Sequence, residues 1–228
     1  MIINGINSSK EFGVELMEKS IQPPSSNRII EKVPYMNGEY DFSNLYNELT
    51  FGERKVTCKY AIPTADTEML NIKYSQLLDA IMKYELILEF DDIKGYYFKG
   101  KIDNTPNFEE LSVFGTLTVV YSCYPFKIST LQDGHDIWDE FNFELDIAQD
   151  TKFEIENIKN IQLYNNGAIG INPIVVCSND MEIIKGTTTF KFKAGESKSW
   201  SFKLDKGLNN LTIKGTGTIE FKWSKEVL

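Results

Sequence analysis

The chain has 228 residues, of which 42% are hydrophobic and 25% charged, a composition typical of a globular protein with one sizeable core or two modest ones. Its net charge of −9 at pH 7 disfavours binding to nucleic-acid phosphates or to an anionic membrane surface, since both require clustered Lys and Arg side chains. No run approaches the ~20 apolar residues that cross a bilayer, and Met1–Lys10 lacks the pattern of a secretory leader. We therefore expect the chain to fold in a cytoplasm.

The beginning of the chain predicts strands interrupted by a loop. Residues 1–19 are predicted to form short strands around Asn4-Gly5 and Phe12-Gly13. Ser20–Asn27 contains two adjacent prolines, which lack the donor that a β-ladder needs, so we predict an extended arm or loop there. Arg28–Val33 and Arg54–Ile62 are predicted strands.

One amphipathic helix is predicted from about Asp66 to Glu85. Thr64 or Asp66 can cap its free backbone N–H groups, and Glu68 lies in the first turn, where the helix dipole favours an acidic group. Apolar side chains at three- and four-residue steps predict a stripe that packs on a sheet: Leu70, Tyr74, Leu77, Leu78 and Ile81.

A hairpin follows the helix, with strands at Leu86–Phe90 and Tyr96–Ile102 around the turn Asp91–Gly95. Adjacent Asp91 and Asp92 diverge on such a turn, so we interpret them as solvated rather than as a metal or acid/base pair. Alternation over Leu117–Cys123 then predicts a strand with one face in a core.

From about Ser129 the chain shows short alternating segments and glycine-rich turns, which predict a β-sandwich and a domain boundary between residues 128 and 129. Strands are predicted at 190–193, 199–204 and 219–223, and a turn at Gly215–Gly217. On this alternation Trp200 and Trp223 are expected to be core residues.

In the first half, Val33–Ser43 is followed by Gly52–Val56, then by the helix and the Phe90–Phe98 hairpin, and finally by Gly115–Lys127 as a closing strand. This series of segments resembles the distal tail protein (Dit) family of long-tailed bacteriophages. In the second half, Asn165–Val175 and Gly207–Gly217 are similar to that family's C-terminal galectin-like sandwich. The implied fold is mainly β: an α+β domain at 1–128, with one main helix on an antiparallel sheet, and a galectin-like β-sandwich at 129–228.

The resemblance also implies a role as the baseplate hub of a virion tail. Residues 1–128 would form a ring, commonly a hexamer, that continues the tail tube, and residues 129–228 would project outward. The implied partners are other copies of the chain, the tail tube protein, the tape-measure protein, the tail-tip protein and a receptor-binding protein. We add the hypothesis that acidic charge lining the channel would repel passing DNA.

Residues for catalysis, cofactor binding or metal binding are not assigned, and an enzyme is not expected. The single histidine, His135, has no histidine partner for a zinc site. Asp133, Asp136, Asp139 and Glu140 are interpreted as a polar linker, with calcium binding as the alternative, although they lack the spacing of an EF-hand loop. Cys58, Cys123 and Cys177 are expected to be buried free thiols. Gly167-x-x-Gly170 and Gly215-x-Gly217 do not open a helix and are not phosphate loops.

A carbohydrate-binding module of a virion or cell-surface adhesin is the alternative function. In that case exposed aromatic side chains, from among Trp138, Trp200 and Trp223, would stack on sugar rings.

Overall fold

The computed structural model describes residues 1–43, 49–111, 114–134 and 147–228. These residues form two compact units, Met1–Lys127 with Leu228 (unit 1) and Ile128–Val227 (unit 2). Antiparallel strands dominate the described part of the chain, so the predicted mainly-β fold class is confirmed.

Unit 1 contains ten strands and two helices in its described residues. These are β1 (Ile2–Ile3), β2 (Ile6–Asn7), α1 (Ser8–Phe12), β3 (Glu15–Ile21), β4 (Ile30–Glu31), β5 (Tyr40–Asp41), β6 (Arg54–Pro63), α2 (Thr67–Ile81), β7 (Leu86–Glu89), β8 (Tyr96–Ile102), β9 (Asn107–Leu111) and β10 (Phe114–Cys123). The unit is built on an antiparallel sheet with the strand order β2-β1-β7-β8-β10-β6-β3, and β9 pairs with β10.

The helix predicted to begin near Asp66 is α2. The Asp66 carboxylate accepts a hydrogen bond from the Met69 backbone N–H at 2.8 Å, which makes Asp66 the N-cap.

The apolar stripe of α2 packs on the sheet. Leu70, Leu77 and Ile81 are buried against the sheet, while Tyr74 and Leu78 are half-buried at the edge of the same core. The predicted apolar stripe is therefore confirmed, and the helix ends four residues before Glu85.

The first helix was not predicted: the strand expected before Phe12-Gly13 is wrong, whereas the strand expected after it is present as β3. Ser8–Phe12 forms α1 because the Asn7 side chain accepts hydrogen bonds from the Ser9 and Lys10 N–H groups, both at 3.1 Å. Gly13 ends α1 in the left-handed conformation, with φ of 61°. A strong cap at each end thus outweighs the weak helical preference of five residues.

The principal strands of unit 2 are β12 (Lys152–Asn165), β13 (Ile174–Cys177), β14 (Met181–Lys185), β15 (Thr188–Phe192), β16 (Gly195–Lys198) and β17 (Gly207–Lys222). They form an antiparallel sheet with the strand order β15-β14-β17-β13-β16, and β12 pairs along the other edge of β17. Two further short strands of the chain are β11 (Lys127–Ser129) and β18 (Glu226–Val227).

The backbone of the long β12–β17 ladder departs from ordinary strand geometry near its middle. Asn157 has φ of 68° and lies directly opposite Gly215, which has φ of 145°. The first half of β17 pairs with β14 and the second half with β13, so two groups of strands share one ribbon and enclose one apolar core. This is the arrangement expected for a β-sandwich.

The turn predicted at Gly215–Gly217 is wrong, because both glycines lie inside β17. A Cβ on Gly217 would lie 2.1 Å from the Ser178 hydroxyl oxygen. Glycine is required here for a close approach within the sheet, not for a chain reversal.

Candidate interaction surfaces

The two adjacent aspartates of the Asp91–Gly95 turn pair with different partners. The Asp91 carboxylate lies 2.8 Å from the Met1 ammonium group, and Asp92 pairs with the Lys19 ammonium group. The hydrogen bond from Lys19 lowers the pKa of Asp92. The two adjacent carboxylates therefore contact separate basic groups, one at the N-terminus and one on β3.

The acidic segment near residue 133 is described only at its start. The Asp133 backbone N–H donates to the Trp223 carbonyl oxygen at 2.9 Å. His135, Asp136, Asp139 and Glu140 lie outside the described residues, so both the linker interpretation and the calcium alternative stay predictions. Within the described ranges, no three His, Cys, Asp or Glu side chains converge in a way that could hold a metal ion.

The three cysteines are buried free thiols, as expected. Burial raises the pKa of Cys58 and of Cys123 to about 12, and that of Cys177 to about 11. A thiol that stays protonated at neutral pH is a poor nucleophile and a poor metal ligand. These side chains therefore contribute to packing.

Of the three tryptophans, Trp223 is buried in the core of unit 2, as predicted, and Trp138 lies outside the described residues. Trp200 is 95% exposed, so the prediction that it is a core residue is wrong. The predicted strand 199–204 is absent. The Asn172 side-chain amide nitrogen lies 3.1, 3.0 and 2.7 Å from the carbonyl oxygens of Ser199, Trp200 and Phe202, to which it donates. These hydrogen bonds hold the segment as a loop.

A two-stranded extension of unit 1 exposes a set of apolar side chains, and we call residues 28–43 the arm. Strands β4 and β5 pair in it, supported by ion pairs from Arg28 to Asp41 at 3.0 Å and from Lys32 to Glu39 at 2.8 Å. Five apolar residues of the arm have relative exposures of 42% or more, and Tyr35 is fully exposed: Ile29, Val33, Tyr35, Tyr40 and Phe42.

The base of the arm is attached to the rest of unit 1. Asn27 N–H donates to the Thr50 carbonyl at 2.8 Å, and Gly52 N–H donates to the Ser25 carbonyl at 2.8 Å. The Phe51 ring packs edge-on against Phe126, with 5.5 Å between centroids. The arm is thus held at its base while its apolar side chains contact solvent.

Sequence reasoning did not identify the arm as an apolar surface. Strand β4 covers only Ile30–Glu31, less than the predicted Arg28–Val33. Alternating apolar residues indicate that one face of a strand is covered, but they do not indicate what covers it.

Comparison with solved structures finds chains that share this fold. The chain is similar to the crystal structure of the Dit protein of phage SPP1, described as a paradigm of the hub adsorption apparatus in phages that infect Gram-positive bacteria. The TM-score is 0.64 at 12% sequence identity, and the match covers 98% of this chain and 97% of the SPP1 protein. The chain has the Dit fold.

The Dit fold spans both units, which confirms the resemblance stated from the sequence. No family model matches the chain, and no curated protein matches it in sequence. Among the described residues, neither helix combines the length and apolarity of a membrane span.

Proposed function

We propose that the protein is a structural component of a phage tail, the distal hub whose ring joins the tail tube to the tip and the receptor-binding apparatus. The observation that carries this proposal is the match to the SPP1 Dit protein along nearly the whole of both chains. Residues 1–128 would form the ring, a hexamer, and residues 129–228 would project from it. The partners would be the tail tube, tape-measure, tail-tip and receptor-binding proteins, and assembly would take place in the host cytoplasm.

The exposed apolar side chains of the arm are a second reason to propose a ring. A two-stranded hairpin is marginally stable by itself in water, and contiguous apolar patches on soluble proteins mark sites of interaction. We assign the arm to a neighbouring copy of the same chain, because a ring needs every subunit to present an identical contact to the next. The Tyr40 and Phe42 rings, which stack at 6.1 Å, would be the centre of that contact.

The test is the size of the purified full-length protein, measured by light scattering after gel filtration and by negative-stain imaging. We expect a ring of several subunits. In a variant with Tyr35→Ser, Tyr40→Ser and Phe42→Ser, we expect monomers with an unchanged far-ultraviolet circular dichroism spectrum. Tyr84→Ser is the matched control, since Tyr84 is 95% exposed outside the arm, and this variant should still form rings.

Monomers at every concentration, even with the tail proteins co-expressed from the same source, would contradict the ring. Rings that persist in the arm variant would contradict the assignment of the arm.

A further inference from the structure

An open groove of about 900 Å³ lies beside the β12–β17 ladder of unit 2. We propose that this groove is a binding site for a neutral oligosaccharide. The proposal concerns an activity beyond tail assembly and does not depend on ring formation. It rests on the side chains that line the groove and on their register.

Four neutral polar side chains form two cross-strand pairs in this groove. Asn160 lies opposite Thr212, and Gln162 lies opposite Asn210. The Gln162 amide donates to the Asn210 side-chain oxygen at 2.9 Å, and the Thr212 hydroxyl donates to the Asn160 side-chain oxygen at 2.7 Å. The two side chains of each pair therefore hold each other in place on the ladder before any ligand binds.

The pairing leaves hydrogen-bonding capacity unused. An Asn or Gln side chain has two donor hydrogens and an acceptor oxygen. In the described part of the chain, the amide nitrogens of Asn160 and Asn210 and the amide oxygen of Gln162 have no partner. Closely spaced donors and acceptors of this kind match a sugar, because each sugar hydroxyl both donates and accepts.

Apolar surface lies beside these polar groups. The half-buried Phe153 and Ile184 side chains also line the groove. Phe153 is held from the core side by the Phe221 ring, with 6.5 Å between centroids. A sugar ring has an apolar C–H face as well as polar edges, so an aromatic ring next to amides offers a surface for both.

Charge selects a neutral ligand over an anionic one. Lys159 and Asp150 are the basic and acidic residues of the lining and balance each other. The Lys159 ammonium already donates to the Glu154 carbonyl at 3.1 Å and lies 6.0 Å from the Phe153 ring centroid. A single lysine ammonium group that already donates a hydrogen bond within the protein is a poor site for a phosphate, a sulfate or a nucleic acid, because these anions bind to several basic groups.

Size selects an oligosaccharide over a single sugar. Ligand sites typically have volumes of about 300–1,000 Å³, and the groove is near the upper end of that range. Its open form also suits a chain of sugar rings that continues beyond the site.

The test uses the full-length protein and immobilised tetrasaccharides of glucose, galactose, mannose, rhamnose and N-acetylglucosamine, with a sulfated tetrasaccharide as the acidic probe. We expect binding to at least one neutral probe, followed by titration calorimetry with that probe. In Gln162→Ala/Asn210→Ala we expect at least a tenfold loss of affinity, about 1.4 kcal/mol. Thr212→Arg, which puts a long charged side chain in the groove, should abolish binding.

Two control variants locate the site. Gln76→Ala removes an exposed glutamine from α2 in unit 1, and Trp200→Ala removes the exposed tryptophan of unit 2. Both should bind like the unaltered protein. Unchanged melting temperatures of the groove variants would show that their loss of binding is not unfolding.

Three results would overturn the proposal. These are the absence of binding to every neutral probe, binding restricted to the sulfated probe, and binding that survives the groove variants but is lost in Trp200→Ala. The last result would place a sugar site on the 199–204 loop.

Discussion

Two tyrosine hydroxyls are enclosed in the core of unit 1 and depend on each other. The Tyr60 and Tyr121 side chains have 0% exposure, and their hydroxyl oxygens lie 2.8 Å apart. The Tyr60 hydroxyl also contacts the Met1 sulfur at 3.5 Å, a weak acceptor. Burial raises the pKa of both phenols, so each stays protonated and can donate one hydrogen bond.

We predict that Tyr121→Phe lowers the free energy of unfolding by about 1–3 kcal/mol, because it leaves the Tyr60 hydroxyl buried without its principal partner. Tyr60→Phe/Tyr121→Phe should cost less than the sum of the two single changes, since no hydroxyl is then stranded. Urea unfolding of the unaltered protein, of Tyr60→Phe, of Tyr121→Phe and of the double variant measures these free energies. Tyr84→Phe is the control at an exposed position, with an expected change within about 0.5 kcal/mol. Additive losses would contradict the coupling.

The buried thiols make stability depend on alkaline pH. The pKa of Cys58 is raised from its ordinary value of 9.0 to about 12, with burial as the largest cause. Between about pH 9 and pH 12 the unfolded chain therefore loses a proton that the folded chain keeps. Stability decreases where the unfolded state binds fewer protons, so it falls as the pH rises through this window.

We predict that the melting temperature falls progressively from about pH 8.5, which is just below the ordinary thiol pKa, to about pH 10.5. Cys58→Ala should lower the melting temperature at pH 8.5, because it leaves a cavity, and should make the decline with pH shallower. An identical slope in both proteins would show that Cys58 does not contribute to it.

At the scale of elements, local capping decides where the helices of unit 1 begin. Asp66 caps α2 and Asn7 caps α1, each through a side-chain oxygen that accepts from the first-turn N–H groups. The apolar stripe of α2 then packs on the sheet, and at its edge the Tyr74 ring stacks on Phe108 of β9, with 4.1 Å between ring centroids. Capping and packing thus fix the same helix register.

We predict that Asp66→Ala lowers the free energy of unfolding by about 1 kcal/mol, through loss of the hydrogen bond to Met69. Asp79→Ala is the matched control, since it removes the same charge from an exposed position near the C-terminus of α2. A negative charge there opposes the helix dipole, so its removal should not destabilise the protein. If urea unfolding shows the same loss of stability in Asp66→Ala and Asp79→Ala, the effect comes from the charge and not from the cap.

At the scale of the whole molecule, the proposed ring would bring together subunits that each carry a net charge of −9. Such subunits repel one another, while the arm offers an apolar contact that salt does not weaken. The balance between the two should therefore depend on ionic strength.

We predict that sedimentation velocity shows a larger ring fraction as salt is raised from about 0.01 M to about 0.15 M, because the screening length falls from about 30 Å to about 8 Å. The arm variant should remain monomeric at both concentrations. Rings that dissociate on adding salt would indicate an interface held by ion pairs and would contradict an apolar one.

The sequence by itself determined the features that depend on neighbouring residues. Leu70, Leu77 and Ile81 recur at helical spacing, and the Asp91–Gly95 turn separates two alternating segments. The helix and the hairpin were both predicted correctly, because each depends on residues that are close together in the chain. The order of these segments also sufficed to recognise the Dit fold.

Only the tertiary structure decided features that depend on contacts distant in the chain. Trp200 is exposed because Asn172, far away in sequence, holds its loop, and position 217 requires glycine because Ser178 approaches it closely. The apolar arm and the amide-lined groove likewise arise from cross-strand neighbours, through partners and register that no single segment encodes.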